Sequence, residues 1–275
     1  MKSVERKSYW ALILGASSGF GEAIAIELAK DGYNIFGVHL DRQATMHNVE
    51  RIISEIKSYN SEAIFFNANA ADDEKRHEIV SSIKSKLSNE PLIKVIVHSL
   101  AFGTLRPYIP KSNEQAITKA QMEMTMDVMA HSLVYWTQDI YINGLLAEES
   151  RIFAMTSSGG HTVIPYYGAV SAAKAALESH CRQLAMELGH LKTSVNAIMA
   201  GVTDTPALRK IPGNKEMIEI AKRKNPMKRL TEPKDIAKIV SLLCKEGGNW
   251  ITGSVIHADG GEDVVNYIGQ INNLM

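Results

Sequence analysis

Trp10-Ala11-Leu12-Ile13-Leu14 runs directly into Gly15-Ala16-Ser17-Ser18-Gly19-Phe20-Gly21, and a helical pattern follows over 22–30. An apolar strand, a glycine turn and a helix in that order leave free backbone N–H groups at the helix N-terminus, where a pyrophosphate can bind. The spacing is G-x-x-x-G-x-G and not the commoner G-x-G-x-x-G. Three glycines in seven residues could also serve only a tight turn. In the binding reading, Gly15, Ser17, Gly19, Phe20 and Gly21 form the pyrophosphate turn of a dinucleotide site.

Outward from this unit the pattern alternates. Apolar runs at 33–40, 63–68 and 92–98 are separated by helical patterns at 46–59 and 73–87, and 151–156, 194–199 and 254–258 supply three further strands. Repeated strand–helix units imply parallel strands with right-handed crossovers. The predicted fold is α/β: a single Rossmann-type doubly wound domain over 1–275, with about seven parallel strands and helices on both faces. Helix signals run through 113–146, where Met122, Met124, Met126 and Met129 read as core filler with a ligand contact as the alternative. Between 205 and 233, Pro206, Pro212, Pro226 and Pro233 interrupt the pattern around a short amphipathic helix, and such an excursion predicts a substrate lid. Lys222, Arg223, Lys224, Lys228 and Arg229 read as a solvated face, with contact to an anionic carrier as the alternative.

Thirty lysines and arginines balance thirty aspartates and glutamates, so net charge gives no case for nucleic acid or an anionic membrane. The 45% hydrophobic content suits a substantial core. Cys181 and Cys244 are isolated, lack metal-type spacing and fall in predicted helices, which points to reduced, packed thiols and a cytoplasmic setting. The first ten residues lack the apolar core of a signal peptide, and a soluble protein is expected.

A second stretch carries the chemistry. Thr156-Ser157-Ser158-Gly159-Gly160 leads to Pro165-Tyr166-Tyr167-Gly168, and from Tyr167 an unbroken helical pattern extends to a stop at Gly189. Lys174 follows Tyr167 by seven residues, which at about 100° per residue returns to within about 20° of the same face; Tyr166 is about 80° away. A tyrosine beside an ammonium can act as a proton donor. The plainer reading is a half-buried tyrosine and a solvated lysine.

Gly15-x-x-x-Gly19-x-Gly21, Ser157, a tyrosine with Lys174 on one helix, and Asp259-Gly260-Gly261 together resemble the short-chain dehydrogenase/reductase family over nearly the whole chain. That family usually places its tyrosine four residues before the lysine, where this chain has Val170. The Tyr167-x6-Lys174 spacing and Val97-His98-Ser99-Leu100-Ala101-Phe102 resemble enoyl-acyl-carrier-protein reductases, and Leu105-Arg106-Pro107 brings the chain closest to the bacterial type III enzymes. Met129 stands where carbonyl-reducing members commonly have an asparagine that holds a relay water. The resemblance implies NAD(P)H-dependent reduction of the 2,3 double bond of an enoyl thioester carried by acyl carrier protein or coenzyme A, and a homotetramer. Moving the donor three residues shifts it about 4.5 Å along a helix, on the scale of the distance between hydride acceptor and thioester oxygen. Reduction of a 3-oxoacyl thioester or other carbonyl is the alternative, and a silent dinucleotide-binding module is the third.

By the same resemblance Tyr167, Lys174 and Ser157 are the catalytic candidates. Asn69 and Ala70 flank adenine, Ser99, Leu100 and Ala101 line the ribose, Lys174 binds the other ribose, and Thr156, Gly201, Val202 and Thr205 belong to the nicotinamide pocket. The end of the second strand sets cofactor choice. His39 replaces an expected acid and Arg42 can pair with a 2′-phosphate, so NADPH is expected; an inward-facing Asp41 would favour NADH.

Overall fold

The structure is a computed structural model and describes residues 8–111 and 115–265. Seven strands form one open sheet: β1 Trp10–Leu14, β2 Asn34–His39, β3 Ala63–Asn67, β4 Ile93–His98, β5 Leu146–Thr156, β6 Ser194–Ala200 and β7 Val255–Ala258. Their spatial order is β3-β2-β1-β4-β5-β6-β7 and every pairing is parallel. The strand order reverses between β1 and β4, so their C-terminal ends open a crevice, the ligand position of such sheets.

Alternation along the strands explains why helices cover both faces. Leu12, Leu14, Phe36, Ile96 and Ile152 point into one apolar cluster, which α3 (Asp73–Lys86), α5 (Ser132–Ile142) and α6 (Gly168–Glu187) close. Ala11, Ile13, Ile35, Val97 and Phe153 point into the other, beneath α1 (Gly19–Lys30), α2 (Met46–Ser58) and α8 (Pro233–Leu243). A sheet buried on both sides needs near-continuous apolar strands, and β1 is buried at all five positions.

The region expected to be helical through 113–146 divides. Its helix begins at α4, Lys119–Met126, where Thr118 and Gln121 form a reciprocal capping box, and it passes through a π-helical turn, Asp127–His131, into α5. Residues 113 and 114 lie outside the described residues, and Leu146 already belongs to β5. That strand is five residues longer at its start than its apolar pattern suggests, with Glu149 at φ 55° in the irregular lead-in. Met124 and Met126 pack against the core and Met129 is buried. The excursion over 205–233 contains a 3-10 turn, Leu208–Lys210, and α7, Asn214–Lys224. Cys181 is buried in α6, whereas Cys244 lies just beyond the end of α8; both are free thiols. No helix of the described residues is long and apolar enough to cross a membrane.

Candidate active site

Gly15 takes φ +89°, and the Gly15 and Ala16 N–H groups donate to the Val38 carbonyl, pinning the turn to β2. A Cβ on Gly15 would lie 2.5 Å from the Ser99 carbonyl oxygen, and one on Gly21 only 2.0 Å from the Gly15 oxygen. These glycines allow three backbone segments to meet. Ser18 caps α1 without a side-chain hydrogen bond, so the donors of the first turn, from Gly19 onward, have no side-chain acceptor there. An uncapped helix N-terminus over a glycine cradle fits the pyrophosphate of a dinucleotide.

A cleft of about 240 Å3 opens beside this turn. It brings together Phe20, Ser99, Leu100, Ala101, Thr156, Ser157, Tyr167, Lys174, Gly201, Val202 and Thr205, all of them expected site residues. Gly15, Ser17, Gly19 and Gly21 belong to the adjoining turn, which reaches the cleft only through Phe20, and do not line it. Nor do His39, Arg42, Asn69 or Ala70, which sit at the ends of the neighbouring strands. The Asn69 side chain accepts from the Ala71 N–H, and the Ala70 carbonyl accepts from the Trp136 indole at 2.8 Å.

The helix carrying the lysine begins one residue later than its pattern suggests. Tyr167 is the cap residue of α6 and not its first turn, with φ −92° and ψ 2°, because Tyr166 before it adopts φ 65° and turns the chain. The helix ends at Glu187 with Leu188 as its cap, which puts Gly189 at the stop position just beyond. Tyr167 nonetheless shares the cleft with Lys174, and its hydroxyl stands 3.4 Å from the Ser157 Oγ. The ring is seated on Gly159, where a Cβ would come within 2.5 Å of Cε1. Burial pushes the Tyr167 hydroxyl above its ordinary value, with the Ser157 hydroxyl pulling the other way, so the phenol stays protonated.

Lys174 is 5% exposed and donates to the Met155 carbonyl at 2.6 Å. Burial lowers its ammonium to about 8, opposed by Glu178, whose carboxylate accepts from the Thr156 hydroxyl. The cation is therefore present below about 8 and lost above it. If the charged lysine supports turnover, kcat/KM should fall as pH rises through about 8. A profile flat across that range would show that the charge of Lys174 is not used.

Other residues in and around the cleft were not among the expected catalytic or cofactor residues, although Met129 carried a ligand contact as its alternative. Val170 and Met129 meet behind the cleft, each within 3 Å of where a Cβ on Gly103 would stand. Buried Glu262 accepts from the Val202 N–H and ties the loop after β6 to the C-terminal segment; Asp259-Gly260-Gly261 pointed to the neighbourhood but not to this contact. His98, fully buried at the end of β4, bonds Ser132 at 2.9 Å, and burial lowers it to about 3, so it is neutral.

A family model described as enoyl-(acyl carrier protein) reductase matches residues 15–262. The chain belongs to the short-chain dehydrogenase/reductase family. Among curated relatives, the hydroxynaphthalene reductase-like protein Arp2 of Metarhizium acridum is 28% identical, the match covering 91% of this chain and 93% of that one. Versicolorin reductase stcU of Emericella nidulans is 26% identical, with 91% and 94% covered. Among solved structures, the enoyl-[acyl-carrier-protein] reductase (NADH) of Aquifex aeolicus superposes with a TM-score of 0.81 at 23% identity, covering 94% of this chain and 98% of that one. The angucycline C-6 ketoreductase LanV with bound NADP gives 0.80 at 22%, covering 93% and 96%. The family, the seven-stranded α/β fold and a nicotinamide cofactor are thereby shown, and the chain is an oxidoreductase of this family.

Proposed function

We propose that this short-chain reductase reduces a ketone to an alcohol. The observation that carries the reading is the convergence of the Ser157 and Tyr167 hydroxyls, 3.4 Å apart on one wall of an otherwise largely apolar cleft. Two hydroxyls so placed can hold one carbonyl oxygen, which is needed when the oxygen sits on the carbon that receives hydride. A bound nicotinamide supplies the hydride. Tyr167, kept protonated by burial, gives its proton to the oxygen while Ser157 donates a hydrogen bond. Lys174, held against Met155, supplies positive charge in the same cleft. The relatives named as hydroxynaphthalene and versicolorin reductases support carbonyl chemistry and ring-bearing substrates.

Enoyl-thioester reduction is the second reading, favoured by Val170, buried where the family usually has tyrosine, and by apolar Met129 in place of the relay asparagine. Cofactor preference turns on Asp41. Burial works to raise its carboxyl, but hydrogen bonds from Ser17, Thr45 and His39 outweigh this and hold it below the usual carboxylate range. An anion facing the glycine turn disfavours a 2′-phosphate, so our reading moves from NADPH toward NADH, although exposed Arg42 remains available to phosphate.

Acetoacetyl and crotonyl thioesters and an aryl ketone, each assayed with NADH and NADPH, test both points. Ketone reduction with higher kcat/KM for NADH is expected. Turnover of the crotonyl thioester alone would replace this reading with the enoyl one, and preference for NADPH would return the assignment to Arg42.

A further inference from the structure

The charge of the cleft wall is one-sided. Among its described lining residues there is no aspartate or glutamate, but there are two lysines. Lys174 is committed inside, against the Met155 carbonyl. Lys210 is not: its ammonium lies over the Phe102 ring, 6.0 Å from the centroid, and it has no hydrogen-bond acceptor or acid partner among the described residues.

Its neighbour makes the contrast. Arg209 is neutralised by Asp204 through two contacts of 2.8 and 3.0 Å and does not line the cleft. Lys210 is also fixed in place. Leu208 is buried, the Leu208 N–H donates to the Thr205 hydroxyl, and the Lys210 N–H donates to the Ala207 carbonyl, so the short turn presents exposed Lys210 over Phe102. Phe102 is 59% exposed and continues into Gly103, which packs on Val170 and Met129. This is the β4-exit side of the cleft, which meets the glycine turn where Ser99 packs on Gly15 and Thr205 on Gly19. An uncompensated cation beside apolar walls strengthens recognition of a carboxylate and adds nothing for its neutral ester.

We propose that the cleft takes a ketone whose far end carries a carboxylate, and that Lys210 at the mouth recognises that anion. The inference rests on the carbonyl reading of the site, and it makes Lys210 a specificity determinant.

The test uses an aryl keto acid, 4-oxo-4-phenylbutanoate, and its methyl ester. Both are titrated calorimetrically into the enzyme saturated with oxidised cofactor, then assayed with reduced cofactor. The wild type should bind the acid roughly tenfold or more tighter than the ester, the scale of one charge-assisted hydrogen bond. Lys210→Met should collapse that ratio and Lys210→Arg should retain most of it. Equal affinity of the wild type for acid and ester, or a ratio that survives in Lys210→Met, would overturn the proposal. So would a loss of NADH and NADPH affinity in Lys210→Met that matches the loss of acid affinity, because the lysine would then serve the cofactor's phosphates. Acid-selective binding that depends on Lys210, without reduction of either ketone, would sink the carbonyl reading and leave the anion site standing. Reduction of both with no selectivity would do the reverse.

Discussion

Tyr167→Phe is expected to lower kcat by about two to four orders of magnitude, the range for removing a positioned proton donor. The substitution deletes one oxygen and leaves the ring, which is held over Gly159, so the shape of the cleft should persist. Cofactor Kd should stay near the wild-type value, since only a contact to the reacting oxygen is lost. Tyr166→Phe is the control. Tyr166 is 38% exposed and occupies the left-handed backbone region as either residue, so its turnover should change little. Steady-state rates with fluorescence titration of the reduced cofactor decide the matter. A silent Tyr166→Phe beside an active Tyr167→Phe would assign the donor to Tyr166 instead. Ser157→Ala should show an intermediate loss, because it removes the second hydroxyl near the same oxygen and leaves the donor.

The difference between Tyr167 as a helical residue and Tyr167 as a cap shows where sequence reading stops. The strands, their parallel pairing and the glycine turn were legible because near-continuous apolar runs alternating with helical patterns, and G-x-x-x-G-x-G, state their geometry locally. The start of α6 was not, since Tyr167 and Gly168 satisfy a helical pattern and only tertiary contact decides between them. Gly168 is pressed against Tyr108, where a Cβ would meet the ring at 2.7 Å, and Tyr166 turns the chain just before it. The first residues of β5 were hidden for a similar reason: Glu148, Glu149 and Ser150 carry no strand pattern, and they fill the register shift between the Leu146 and Arg151 pairings with β4. Tyr167 and Lys174 reach the same cleft even so, because a cap residue still faces along the first turns of its helix. Lys210 and Glu262 carried no motif. Their positions depend on how the 205–233 excursion and the C-terminal segment fold back on the loop after β6, a long-range outcome that spacing does not encode.

Gly21→Ala should cost the protein its cofactor site and part of its stability. A Cβ there would stand 2.0 Å from the Gly15 oxygen and 2.9 Å from the Gly15 carbon, both backbone atoms that cannot rotate away. The turn can relieve the overlap only by moving Gly15, which is bonded through its N–H to Val38 and packed against the Ser99 backbone. Glycine turn, β2 exit and β4 exit would therefore shift together. Overpacking of this kind costs about 1–3 kcal/mol, and the displaced donors of α1 should weaken cofactor binding roughly a hundredfold, as expected when two or more charge-assisted hydrogen bonds are lost. Gly189→Ala is the matched control, since nothing lies within 4 Å of its added Cβ and its φ is not positive. Its stability should stay within about 0.5 kcal/mol of wild type. Thermal melts with and without saturating cofactor measure both effects. In Gly21→Ala the midpoint should fall and the cofactor should no longer raise it. A variant that melts low but is still stabilised by cofactor as strongly as wild type would mean that the turn relaxes without moving the donors, and that the pyrophosphate does not rest on this helix end.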